Sequence, residues 1–104
     1  MNMHKNVIEM VTFTIKKDIT TQRLLELSSN FENALKRDVH GFIKRTLTKD
    51  IASDYWIELI WWDSIDSARL ALDVVTTTTE FEMYCAALVD DGGDNIIYVE
   101  QIES

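Results

Sequence analysis

The sequence predicts a single α+β domain of order β-α-β-β-α-β, and three observations carry that prediction. Four short segments are rich in β-branched and aromatic residues: VIEMVTFTI, GFIKRTLT, YWIELIWW and IIYVEQI. Between them lie two stretches whose apolar residues repeat at three- and four-residue spacing. The third segment, Tyr55 to Ser64, is apolar on both parities, with Ile57, Leu59 and Trp61 on one and Trp56, Ile60 and Trp62 on the other. A strand with one wet face alternates, so both faces of this one should be covered. At 104 residues the chain is sized for one domain, 1–104, with no visible linker or repeat.

The first strand is read over 7–15. A helix follows from about Thr21 to Arg37, with Leu24, Leu27, Ser28, Phe31, Ala34 and Leu35 forming one stripe. Thr20 or Thr21 can cap its start, and Lys36 and Arg37 suit its negative end. His40-Gly41 breaks the helix before the second strand, and the polar turn 49–54 makes a hairpin with the third. Asp63 or Ser64 caps a second helix bearing Ile65, Ala68, Leu72 and Val75. Four threonines, Thr76–Thr79, interrupt it, because β-branched residues lose side-chain freedom in a helix. It restarts at Thr79-Glu80-Phe81-Glu82, which has capping-box spacing. DDGGDN forms the last turn and IIYVEQI the last strand.

This order fits a ferredoxin-like antiparallel four-stranded sheet with both helices on one face. The other face would be a large bare apolar patch, which normally marks an interface. Two such sheets packed face to face give a dimeric α/β barrel, so a homodimer through the open sheet face is expected. Parity places Ile8, Met10, Ile43, Leu47, Ile57, Leu59, Trp61, Ile97 and Val99 under the helices. The cavity between subunits would then receive Val7, Glu9, Val11, Phe13, Phe42, Lys44, Trp56, Glu58, Ile60, Trp62, Tyr98 and Glu100, with a β-bulge able to exchange the sides locally.

Composition excludes several classes. The net charge is −8, from 18 acidic and 10 basic residues, and dense basic groups are confined to Lys16-Lys17, Lys36-Arg37 and Lys44-Arg45. This argues against nucleic acid and anionic membranes as partners. No stretch approaches a membrane span and no signal-like apolar run opens the chain, so a cytoplasmic location is expected. Cys85 is the only cysteine, which excludes an internal disulfide. His4 and His40 are not spaced with other ligands, and the acidic turn lacks calcium-loop spacing, so no metal site is expected.

Four segments carry a family resemblance: VIEMVTFTI at the opening, HGFIKRTL after the first helix, ELIWWDSIDSARLAL across the third strand and second helix, and EFEMYCAALVDD before the last strand. With Trp62-Asp63-Ser64 at the strand end, the chain resembles the antibiotic-biosynthesis-monooxygenase-like proteins of the dimeric α/β-barrel superfamily. The resemblance implies a homodimer with a small-molecule pocket. In its oxygenase members it also implies oxidation of quinols or anthrones without cofactor. A haem-degrading branch carries a Trp and a His in the second helix. Here Ala71 and Tyr84-Cys85 stand near those positions, which disfavours that activity.

Within this frame the expected catalytic residues are Glu58 as base and Tyr98 as the group positioning a substrate hydroxyl. Phe13, Phe42, Trp56, Trp62, Glu9 and Glu100 are the expected ligand-binding residues. Burial among apolar side chains raises a carboxylate's pKa toward neutrality, which suits a general base. The same residues also have structural readings. Glu9 and Glu100 could be paired or solvated, the aromatic rings could simply fill a core, and Cys85 reads as a small buried hydrophobe. Two functions therefore stand side by side: a cofactor-independent monooxygenase acting on a quinol- or anthrone-like aromatic, and a non-catalytic ligand-binding or structural homodimer.

Overall fold

Alternation of apolar residues and well-placed caps build seven elements in the computed structural model, which describes residues 5–89 and 95–103. They are β1 (Val7–Phe13), α1 (Thr21–Asp38), β2 (Phe42–Lys49), β3 (Trp56–Trp62), α2 (Ile65–Val75), α3 (Thr79–Ala86) and β4 (Ile96–Glu100). The strands form one antiparallel sheet in the order β2-β3-β1-β4, the ferredoxin-like arrangement. Of the turn expected at DDGGDN all but Asn95, and the residue His4, lie outside the described residues.

Helix α1 starts where Thr20 accepts from the backbone N–H of Arg23 at 3.0 Å, and Ser64 does the same for Ser67 at 3.1 Å to start α2. The threonine run separates α2 from α3 by chemistry of its own. Thr77 and Thr78 hydroxyls each donate to the carbonyl three residues back at 2.7 Å, adding a second bond to carbonyls that already accept backbone N–H groups at the end of α2. Thr78 also accepts from the N–H of Phe81 at 3.2 Å. The cap of α3 is therefore Thr78, one residue before the expected Thr79.

Pairing in the sheet keeps the expected residues together but inverts the sides. Phe13, Trp56, Glu58, Ile60 and Trp62 are buried with Leu24, Leu27, Phe31 and Leu35 of α1 and Ala68, Ala71 and Val75 of α2. Val7 and Val11 pack against the same core. Ile8, Met10, Ile57, Leu59, Trp61, Ile97 and Val99 face away from the helices, not under them. Both parity sets are apolar, so alternation says which residues share a face and not which face meets the helices.

One strand also changes parity part-way. Phe42 pairs with Trp62, but Lys44 pairs with Trp61 and Arg45 with Ile60, so Ile43 is an extra residue. Beyond this bulge Lys44 points to the open face, where its ammonium lies 4.4 Å from the centre of the Trp61 ring. Arg45 and Leu47 turn toward the helices, so Leu47 alone of the residues placed on β2 under the helices lies there.

In α2 the buried stripe is Ala68, Ala71 and Val75, and Leu72 is exposed. Cys85 is exposed as well, because Tyr84 beside it takes the inward position on α3. No helix among the described residues is long and apolar enough to cross a membrane.

Candidate functional site

The bulge in β2 delivers a guanidinium to the one carboxylate buried on β3. Nε and Nη2 of Arg45 both approach Oε2 of Glu58 at 2.5 Å, with the side chains 2% and 4% exposed. Nη1 donates to the Ser28 hydroxyl at 2.7 Å, and Nη2 donates to the Tyr84 hydroxyl at 3.2 Å. Glu32 adds a second carboxylate 3.7 Å from Nη1. Aromatic faces complete the setting: the Arg45 guanidinium lies 5.3 Å from the Phe31 ring centre and 5.4 Å from that of Tyr84, and these rings stack at 5.0 Å.

Burial pushes the Glu58 carboxyl up, and Arg45 and Tyr84 pull against it. Burial also works against the charge on Arg45, yet Glu58 and Tyr84 hold the guanidinium above its ordinary range. Arginine does not shed its proton in a protein, so the pair persists as a buried ion pair. The Tyr84 hydroxyl, buried and facing Glu58, is pushed well above the usual phenol range. It acts here as a donor and acceptor rather than as a phenolate.

A second polar group lies beside the first on the same sheet face. Glu9 pairs with Ile60 on one side and Tyr98 on the other, so Arg45, Ile60, Glu9 and Tyr98 form a row across all four strands. The Trp62 indole N–H donates to Oε1 of Glu9 at 3.0 Å. Burial raises the Glu9 pKa to about 7; the Trp62 hydrogen bond opposes the rise and nearby Glu58 adds to it. Burial and Glu9 also raise the Tyr98 phenol, with Arg69 opposing. Every residue of β4 is exposed, so this end of the row opens to solvent.

The site residues expected from sequence thus divide. Glu9, Trp62 and Tyr98 come together, and Phe42 packs edge-on to Trp62 at 5.9 Å. Glu58 is close by but committed to Arg45. Glu100 pairs with Lys5 at 3.8 Å in a half-exposed position, the surface arrangement. Phe13 and Trp56 sit at the other end of the sheet, where Phe13 meets Tyr84 edge-on at 6.1 Å.

Sequence reasoning missed Arg45, Ser28 and Tyr84. No local pattern marks the bulge that turns Arg45 inward, and Ser28 and Tyr84 stand at inward positions of their helices, where they read as core. Among the described residues no cluster of three or more His, Cys, Asp or Glu side chains is placed to hold a metal.

No family model matches the chain, and no characterised protein matches it in sequence. Solved structures do. The cofactor-independent oxygenase SnoaB from Streptomyces nogalater superposes with a TM-score of 0.70 at 15% identity, covering 96% of this chain and 94% of that one. The chain has the fold of the antibiotic-biosynthesis-monooxygenase-like proteins. A candidate antibiotic biosynthesis monooxygenase from Chloroflexus aurantiacus gives 0.67 at 13% identity, covering 95% of each chain. A dimeric ferredoxin-like protein of unknown function from Thermobifida fusca gives 0.65 at 10%, covering 96% and 92%. Likeness at these identities establishes the architecture and leaves the chemistry to the residues.

Proposed function

We propose that this protein is a cofactor-independent monooxygenase acting on a small quinol- or anthrone-like aromatic, with Glu9 as its base. The observation that carries the reading is the Glu9 carboxyl, held by Trp62 at 3.0 Å, shifted to about 7 and set opposite Tyr98 at the uncovered edge of the sheet. A base of that pKa is half ionised at neutral pH and can both take and return a proton. Glu58 is less suited, because its acceptor oxygen already serves Arg45 and Tyr84.

In the proposed reaction Glu9 removes a proton from a ring CH2 activated by a neighbouring carbonyl. The resulting carbanion passes one electron to O2, and the radical pair joins through a C–O bond. Glu9 returns the proton to give a hydroperoxide, and loss of water leaves a ketone. The balance is CH2 + O2 → C=O + H2O. Tyr98 positions the substrate hydroxyl and Trp62 orients the carboxylate. The SnoaB likeness supports oxygen chemistry of this class on this fold.

Oxygen uptake with an anthrone should fall about a hundredfold in Glu9→Gln with the fold intact. Uptake unchanged in that variant removes Glu9 from the mechanism. Uptake absent in the unaltered protein across quinols and anthrones favours the second reading, a ligand-binding homodimer.

The dimer is part of the same proposal. The face bearing Ile8, Met10, Ile57, Leu59, Trp61 and Ile97 has no helix over it, and a second copy would cover it. Leu59→Glu should then give a monomer in sedimentation. Two copies persisting would place the contact elsewhere.

A further inference from the structure

The end of the sheet away from Glu9 holds a different feature. Trp56 opens β3 and Trp62 closes it, so the two indoles are roughly 20 Å apart along the strand. Beside Trp56 lies a depression of about 460 Å³ between the chain leaving β1, the start of α1 and the start of β3. Its size falls within the range of small-molecule sites. Backbone bonds fix its wall: Lys16 donates to the Ala87 carbonyl at 3.0 Å, and Val89 to that of Thr14 at 2.9 Å.

The charge of the depression runs against that of the protein. Lys16, Lys17 and Lys49 line it against one carboxylate, Asp54, in a chain of net charge −8. Several basic groups elsewhere are engaged in ion pairs: Lys36 with Glu32, Arg37 with Asp38 and Glu80, Arg45 with Glu58. Among the described residues none of the three lining lysines forms a close ion pair, although Lys49 lies near enough to Asp50 to help the Ala52 N–H hold that carboxyl below its usual range. Lys49 donates to the Ser53 carbonyl at 2.8 Å, with its ammonium 6.0 Å from the Trp56 ring centre. Ile15, Ile19 and Val89 lie beside that indole, and Thr14 and Thr21 complete the wall.

We infer that this depression is a binding site for a small organic anion with a flat apolar body, such as an aromatic carboxylate. The lysines attract the anionic group, and Ile15, Ile19 and Val89 take the ring, next to the largely buried Trp56, whose indole reports on occupancy. The site is separate from the Glu9 row and does not depend on the reaction proposed there.

The test is an NMR titration of the full chain with 2-naphthoate, with neutral 2-naphthol as its control. Naphthoate should saturably shift the Trp56 indole N–H and the amides of Lys16, Lys17 and Ile19. Its affinity should exceed that of naphthol about tenfold, and fall by about the same factor in Lys16→Gln/Lys17→Gln. These are exposed side chains, so the variant should fold, and an unchanged amide spectrum elsewhere checks this. Absence of shifts overturns the site. So do equal affinities for the acid and the alcohol, or an affinity untouched by the double substitution. Shifts confined to Trp62 and Tyr98 overturn it too, since they report only the other end of the sheet.

Discussion

Arg45 and Glu58 meet inside the sheet–helix layer with two guanidinium nitrogens on a single carboxylate oxygen, and each side chain is almost wholly sealed from water. Removing one partner leaves the other's charge buried, a cost that replacing both avoids. Glu58→Gln should therefore destabilise the fold by about 3 kcal/mol or more, whereas Arg45→Met/Glu58→Leu should lose much less than the sum of its single changes. Urea unfolding of the unaltered protein, Glu58→Gln, Arg45→Met, Glu58→Leu and the double variant measures this. Additive losses would mean that the two side chains are not energetically coupled.

Glu9 gives a prediction in pH. Its folded-state pKa of about 7 lies above the ordinary 4.5, so the folded chain holds this proton more tightly than the unfolded one. Stability from this group is complete below pH 4.5 and is lost as pH rises toward 7. The loss should be roughly 2 kcal/mol, discounted from the full shift because Glu9 is only partly buried. Subtracting the Glu9→Gln curve from that of the unaltered protein isolates the slope. A flat difference between pH 4.5 and 7 would show that Glu9 titrates normally.

Gly41 holds the turn ahead of β2 at φ +87°, in the left-handed region, and its carbonyl accepts from the Asp63 N–H at 2.9 Å. A Cβ there would collide with the Ser67 side chain and the Asp63 carboxylate. Gly41→Ala should cost about 2 kcal/mol or more in thermal or urea unfolding. Adding Ser67→Ala should relieve part of the collision while the backbone strain remains. Full recovery would show that φ contributes nothing.

The position of the α3 cap separates two neighbouring threonines. Thr78→Ala removes both its bond to the Phe81 N–H and its bond to the Val75 carbonyl, and should cost about 1 kcal/mol. Thr79→Ala should change stability by less than about 0.5 kcal/mol. The reverse order in urea unfolding would move the cap to Thr79.

Most of the architecture was legible because it depends on local chemistry. Thr20 and Ser64 are good caps wherever they stand, and the alternation that groups Trp56, Glu58, Ile60 and Trp62 needs no tertiary information. Which side of the sheet those residues face was not legible, since Ile57, Leu59 and Trp61 offer the helices an equally apolar set. Glu9, Trp62 and Tyr98 were grouped correctly by parity. Their neighbour Arg45 was hidden, because uninterrupted alternation through Ile43 puts Lys44 in its place. The exposed Leu72 and Cys85 show a further limit. On a short helix the stripe is broad enough for Ala71 or Tyr84, one position away, to be the buried residue.

The extra residue at Ile43 makes the strand's length, and not only its composition, a condition of folding. Ile43 has no place in the ladder, so its deletion would leave Phe42, Lys44 and Arg45 opposite Trp62, Trp61 and Ile60 in an unbroken register, with Arg45 still meeting Glu58. A deletion beyond the bulge, at Thr46, would instead turn Leu47 from the helices to the open face. Two deletions three residues apart, each of a side chain the interior does not use, should therefore differ sharply in cost.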